Sequence, residues 1–509
     1  MKTFKLFFFP ILIAILLSVS AHANQSSNLP IVKTALDFSV EDINISPNES
    51  MGLLGGNYLF SANKHVSAGL GVYGAVTGVR GGFFTGGLQT AWRQTLISNI
   101  YFNAQFFVGG GGGGAAPQGG GLMLRVFAGL GYAFQDSSFS LGLSHISFPN
   151  GDIESRQFTL SYAKQFKALY FPGWYHTKQQ LDSWESNLRL LTQSRSQELS
   201  LQYLGYFPSE NNKGRSGKVL NKRMDVLGIR WSQNYQGNYW VEFETNGAMG
   251  GSIDGFAQVF AGLAYKLKVQ KYLRWSSGLL LGAAGGGDVD TGGGVVTRVF
   301  TGIDLTLNPR WSVYNHAGLV YAPDSDLLMP TFNINLAYHF HGLNTLNVQK
   351  KLLESNDNRI QWRKFRLRSG VQRYSHMNQA SRKNPEVEED AVNLVSLKID
   401  AFMNNLFFIS GQAISAFTGG AGGYAVGLLG PGFQFSRHFS AELLAGVAGG
   451  GGLAVGAGKI LQPMLNLNVP INNSWGCELS LGYIDAIEGD MKALVSNISL
   501  NYHFTKPYY

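Results

Sequence analysis

Three stretches of this 509-residue chain end alike, at Leu160-Ser161-Tyr162, Leu336-Ala337-Tyr338-His339-Phe340 and Leu500-Asn501-Tyr502-His503-Phe504, and the three tyrosines lie 176 and then 164 residues apart. Each ending follows a glycine run and a strand-like alternation at a similar distance, so the chain reads as three copies of one β-rich unit. The units are drawn at 24–185, 186–345 and 346–509, behind a leader at 1–23.

The leader has the three parts of a secretory signal peptide. Lys2 and Lys5 give a charged start, Phe7 to Leu17 an apolar core, and Ala21-His22-Ala23 a small-x-small cleavage site before Asn24. The apolar core is too short for a spanning helix, which predicts a mature chain that crosses the inner membrane entirely. Cys477 is the only cysteine, so no disulfide framework exists, and its place among strand residues predicts a small buried side chain.

Glycine reaches 65 residues while phenylalanine, tyrosine and tryptophan remain abundant, which argues against both disorder and an ordinary helical domain. Segment 122–134 shows the underlying pattern. Leu122, Leu124, Val126, Ala128, Leu130, Tyr132 and Phe134 fall on one strand face, and Arg125, Gly129, Gly131 and Ala133 share the other with Met123 and Phe127. The second unit repeats it, with Val299, Ile303, Leu305 and Leu307 opposite Arg298, Gly302, Asp304 and Thr306. A charge in mid-strand is tolerable where the facing space is polar, so Arg125, Arg298 and Asp304 are expected to line an inward polar pore.

Each unit holds about eight candidate strands, most of them about 9 to 14 residues long, as tilted membrane strands require. The expected fold is therefore all-β, an antiparallel transmembrane β-barrel. Two architectures satisfy the count: one barrel of about 24 strands, or three tandem eight-stranded barrels. Strand-like segments continue through the unit boundaries, which favours the single wide barrel and leaves 167–196 and 341–363 as linkers or loops.

The glycine runs recur at one position of the unit: Gly109 to Gly114 with Gly119 to Gly121, Gly285 to Gly287 with Gly292 to Gly294, and Gly449 to Gly452 with Gly456 and Gly458. None carries the lysine and hydroxyl residue of a nucleotide-binding loop, so a structural role is expected: close backbone approach, or a hairpin folded inward as a constriction. The formal charge of +8 lies mostly outside the apolar strands, at Lys213, Arg215, Lys218, Lys222, Arg223 and the run from Lys350 to Arg373. Without aromatic platforms in a basic groove it does not point to nucleic acid, and phosphate-rich lipopolysaccharide or solvation accounts for it. The scattered histidines and the turn-like acidic groups Asp324 with Asp326, and Asp485 with Glu488 and Asp490, predict no metal centre and no cofactor.

The leader, the aromatic strand ends and the terminal alternation Ile498, Leu500, Tyr502, Phe504 together resemble the Gram-negative outer-membrane β-barrel proteins, over residues 31 to 504. That resemblance implies an integral outer-membrane protein with lipid and lipopolysaccharide around it, inserted by the barrel assembly machinery. It implies a channel or export conduit for a solute or polymer, with a surface structural or adhesion protein as the alternative. The chain departs from the class in its tail, Thr505 to Tyr509, unless the last strand runs that far. A shorter stretch, Ser144-His145-Ile146-Ser147-Phe148-Pro149-Asn150-Gly151-Asp152-Ile153-Glu154-Ser155, resembles the active-site strand of the lipid A 3-O-deacylases. By that resemblance Ser147 is the nucleophile, His145 the base and Glu154 the residue orienting the imidazole of an acyl-ester hydrolase. Alternation independently puts 145 and 147 on one face. The second and third units lack the pair.

Overall fold

A computed structural model describes residues 30–251, 253–345, 360–377, 379–384 and 391–508; the leader lies outside them. In chain order the strands of the first unit are β1 (Ile31–Ser46), β2 (Glu49–Ser61), β3 (Val66–Thr77), β4 (Phe84–Ile97), β5 (Ile100–Gly112), β6 (Met123–Phe134), β7 (Ser137–Ser147) and β8 (Glu154–Leu169). A two-residue strand β9 (Phe171–Pro172) and a helix α1 (Lys178–Leu191) follow. The second unit comprises β10 (Thr192–Tyr206), β11 (Met224–Gln236), β12 (Tyr239–Gly250), β13 (Ala257–Gln270), β14 (Leu273–Gly285), β15 (Val295–Asn308), β16 (Trp311–Tyr321) and β17 (Leu328–Thr345). The third comprises β18 (Gln361–Ser375), β19 (Val392–Phe402), β20 (Phe407–Thr418), β21 (Ala425–Gln434), β22 (Phe439–Gly449), β23 (Lys459–Pro470), β24 (Trp475–Ala486) and β25 (Lys492–Tyr508).

Every ladder is antiparallel and most join sequence neighbours, but three closing ladders decide the architecture. β1 pairs with β8, β10 with β17, and β18 with β25, so each unit closes on itself as a ring of eight strands. The single wide barrel favoured by strand continuity is thereby corrected, because the first and last strands of each unit satisfy one another's backbone groups. Of the predicted linker 167–196, residues 170–191 connect the first two rings and its ends belong to β8 and β10; of 341–363, both ends are likewise strand, and 346–359 lie outside the described residues. Across the unit boundary, β17 and β25 share only the Gly342–Tyr508 bridge.

The outward faces carry the apolar residues. Leu141, Leu143, Phe158, Leu279, Leu281, Leu465 and Leu481 are exposed, and exposed aromatics such as Trp92, Tyr132, Tyr239, Tyr272, Trp311 and Phe439 gather beside the short turns. An apolar band with an aromatic girdle, on rings without free edges, is the surface that a bilayer covers. Among the described residues no helix is long and apolar enough to cross a membrane. Cys477 is exposed on this outer surface, not buried, because it has the outward parity of Leu479 and Leu481. The last strand does run into the tail, as far as Tyr508.

The rings meet at both ends. At the end away from the chain termini, the 78–83 loop of the first ring meets the second ring's 286–294 hairpin, with Gly81 N–H donating to Gly292 O at 3.1 Å. The second ring's Gly255 packs on Gly449 of the third. Gly423 N–H of the third donates to Gly111 O of the first at 3.1 Å, which closes the cycle. A cycle of contacts that closes after three rings is a bounded assembly. At the turn end, β9 pairs with Phe504 and Thr505, Tyr170 stacks on Tyr502 and Phe504, and Phe171, Leu188, Ile360, Trp184 and Trp362 form one apolar cluster under the three rings.

Candidate functional site

The inward strand faces hold charge, as alternation requires, and among the described residues they leave no open bore. Arg125, Arg298 and Asp304 each have zero solvent exposure. In the first ring Arg125 Nε lies 2.7 Å from Glu41 Oε1, and its Nη1 donates to Gln105 at 3.3 Å; Thr159 and Ser144 donate to the same Glu41. In the second, Arg298 pairs with Glu244 and donates to Asn333 at 2.9 Å, while Asp304 receives His316 Nε2 at 2.7 Å and Arg274 at 3.2 Å. In the third, Arg368 bridges Asp400 at 2.6 Å with Glu442 and Glu478 at 2.8 Å each.

These three residues therefore point inward as expected but do not line a polar pore. An eight-stranded barrel is just wide enough for side chains to fill, and here paired charges fill it. An apolar layer seals the loop end above them. Phe83, Phe148 and Ile153 turn inward from the loops of the first ring, Ile253, Phe256 and Val289 in the second, and Leu453, Val455 and Met491 in the third. Sequence reasoning missed the acidic partners Glu41, Glu244 and Glu442. The signal was present, since all three are acids at inward parity: Glu41 shares that face of β1 with Asp37, Glu244 that of β12 with Glu242, and Glu442 is the acid of β22.

The glycine hairpins fold outward to the neighbouring ring and not into their own lumen as a constriction. A Cβ on Gly82 would overlap Gly285 and Gly286 of the second ring, and one on Gly422 would overlap Gly119 O of the first. Side chains reinforce the same junctions. Arg215 donates to Gly81 O at 2.9 Å and Gly114 O at 3.1 Å, and Lys383 pairs with Asp254.

His145 and Ser147 both lie on the lipid-facing side of β7, at its loop end, on the face that carries Phe139, Leu141 and Leu143. Glu154 is the cross-strand partner of Ser147 in β8, and its Oε1 lies 3.8 Å from His145 Nε2. The three predicted residues are thus neighbours. The serine–histidine link is not formed: among the described residues no hydrogen bond joins the Ser147 hydroxyl to the ring, and His145 Nδ1 has no partner. The second ring's His316 is inward and fully buried, so the outward arrangement belongs to the first ring alone.

Among the described residues no group of three or more metal-ligating side chains gathers. A cavity lies at the turn-end mouth of the third ring, beside a strap of residues 173–176. Trp174 Nε1 donates to Phe365 O at 2.7 Å, Gly173 N–H to His503 O at 2.8 Å, and Asn473 Nδ2 to Tyr175 O at 3.0 Å. Burial lowers the pKa of the His176 imidazole in this strap below its ordinary value.

No family model matches the chain, and no curated protein matches it. Among solved structures it is similar to OccAB3 of Acinetobacter baumannii at 10% identity, covering 93% of this chain and 98% of that one, with a TM-score of 0.19. OccK11 (OpdR) of Pseudomonas aeruginosa gives 10% identity, 94% and 96% coverage and a TM-score of 0.19. The NanC porin gives 8% identity, 60% and 98% coverage and a TM-score of 0.15. At these scores the likenesses carry no weight for a pore or a solute. The closed ladders and the apolar band with its aromatic girdle make the chain an integral outer-membrane β-barrel protein.

Proposed function

We propose that the protein is a structural component of the outer-membrane surface, a sealed three-barrel anchor presenting one fixed loop platform, and not a constitutively open channel or export conduit. The filled lumen of every ring supports this reading. The three rings are taken as copies of one unit that close separately and are then locked together by their glycine hairpins. Lipid and lipopolysaccharide surround the outer band, and the barrel assembly machinery inserts the chain. In planar bilayers the purified mature protein is expected to give no stable single-channel openings. Steady openings whose ion selectivity shifts in the Arg125→Ala, Arg298→Ala variant would overturn the proposal in favour of a conduit.

A second reading rests on one contact, the 3.8 Å approach of Glu154 to His145 on a face that meets lipid. Rotation of the Ser147 side chain toward His145 Nδ1 would complete a nucleophile–base–acid relay beside the acyl chains. On this reading the mature protein releases fatty acid from lipid A, and Ser147→Ala abolishes release while the barrel keeps its heat stability. Equal release by wild type and variant would remove Ser147 from any catalytic role.

A further inference from the structure

We propose that Arg363 and Lys506, on the outward face of the ladder that closes the third ring, are the docking site for the phosphate of an anionic phospholipid in the leaflet at the turn end. The two residues are direct partners in the β18–β25 register. Like charges directly opposite one another destabilise a sheet, and an anion laid across both removes the conflict. Five surface ion pairs, Arg80–Glu49, Arg223–Asp225, Lys383–Asp254, Lys459–Glu488 and Lys492–Asp485, lie at the loop end, and none among the described residues involves Arg363 or Lys506. Arg363 rests on a neutral group, its guanidinium 4.5 Å from the centroid of the Tyr508 ring. Lys506 keeps an exposed side chain in closely packed surroundings, and no carboxylate acts on it.

Position selects a lipid over a soluble anion. Outward parity runs from Leu367 through Phe365 to Arg363 in β18, and from Tyr502 through Phe504 to Lys506 in β25, so the cations follow directly on the aromatic end of the apolar band. Phe365 and Phe504 stack with centroids 5.4 Å apart. Apolar side chain, aromatic ring and then cation along one face match acyl chain, glycerol and phosphate across a membrane interface. The rim around the pair has the same sign: Lys33, Lys64, Lys164, Lys268, Lys271 and Arg310 are exposed at the turn end, against exposed Asp136 and Asp182. The Gly342–Tyr508 bridge brings the second ring alongside, so a lipid held here sits where two rings meet.

The test is native mass spectrometry of the full mature chain, released from detergent after mixing with phosphatidylglycerol or with phosphatidylcholine. Retention of phosphatidylglycerol but not of phosphatidylcholine is expected. Arg363→Gln with Lys506→Gln should weaken that retention about thirtyfold, since two interfacial cations are lost. Lys218→Gln, at an exposed loop-end lysine, should leave it unchanged. In lipid-free detergent the double glutamine variant loses a repulsion and should melt no lower than the wild type, and phosphatidylglycerol should raise the melting temperature of the wild type more than that of the variant. The exchange Arg363→Lys with Lys506→Arg keeps both charges and should keep retention. Equal retention of the two phospholipids, preference for lipid A over phosphatidylglycerol, retention unchanged in the glutamine variant, or a lower melting temperature for that variant without lipid overturns the proposal.

Discussion

Arg368→Ala is expected to lower the stability of the third ring by about 3 to 5 kcal/mol, the cost of removing one partner from a buried charge cluster. Arg368 is 1% exposed and holds three carboxylates, Asp400, Glu442 and Glu478. Two other cations remain. Arg366 serves Asp400 at 2.6 Å, and Lys398 serves Glu442, but Glu478 keeps only Arg366 Nη1 at 3.9 Å. The variant therefore leaves three acids to two cations in a space that water does not reach. Urea unfolding in detergent, followed by protease protection of the third ring, reads the effect. Rings that close separately need not unfold together, so the first and second rings should keep their wild-type midpoints. Adding Glu478→Gln to Arg368→Ala should restore part of the loss, because it removes the acid that is left without a close cation. A wild-type midpoint for Arg368→Ala would show that the cluster does not hold the ring.

Alternation made the strands, their inward charges and their outward band legible, because a period of two fixes which face each residue joins. Closure was harder to read, since it depends on which distant strands pair. A clue lay in the recurring tyrosines. Tyr162 pairs with Phe38, Tyr338 with Leu199 and Tyr502 with Leu367, so each marks the ladder that shuts its own ring. Continuity of apolar strands across the boundaries outweighed that recurrence and pointed to one wide barrel. The partners of the inward charges were illegible for a related reason: Glu41 is 84 residues from Arg125, and Glu244 is 54 from Arg298. Helix α1 was missed although its start was written locally. Thr177 and Gln180 form a reciprocal cap, with Gln180 N–H donating to Thr177 Oγ1 at 3.2 Å and Thr177 N–H to Gln180 Oε1 at 2.9 Å. For His145, Ser147 and Glu154, alternation showed the shared face of the first two, and the strand register is what sets Glu154 opposite Ser147.

Gly449→Ala is expected to loosen the junction between the second and third rings without unfolding either one. The backbone at Gly449 is not left-handed, so alanine is permitted there by its own conformation. The obstacle is the neighbouring ring, because the added Cβ would overlap the backbone N and Cα of Gly255, which no side-chain rotation relieves. Overpacking of this kind costs about 1 to 3 kcal/mol. Both rings are closed by their own ladders, so that cost falls on the contact between them. Cysteines at 254 and 383, in place of the Asp254–Lys383 pair and with Cys477→Ser, report the junction by their rate of disulfide formation. The rate should fall severalfold in Gly449→Ala and stay unchanged in Gly427→Ala, where an added Cβ meets nothing within 4 Å. Equal crosslinking in both variants would mean that the glycine runs are not what locks the three rings together.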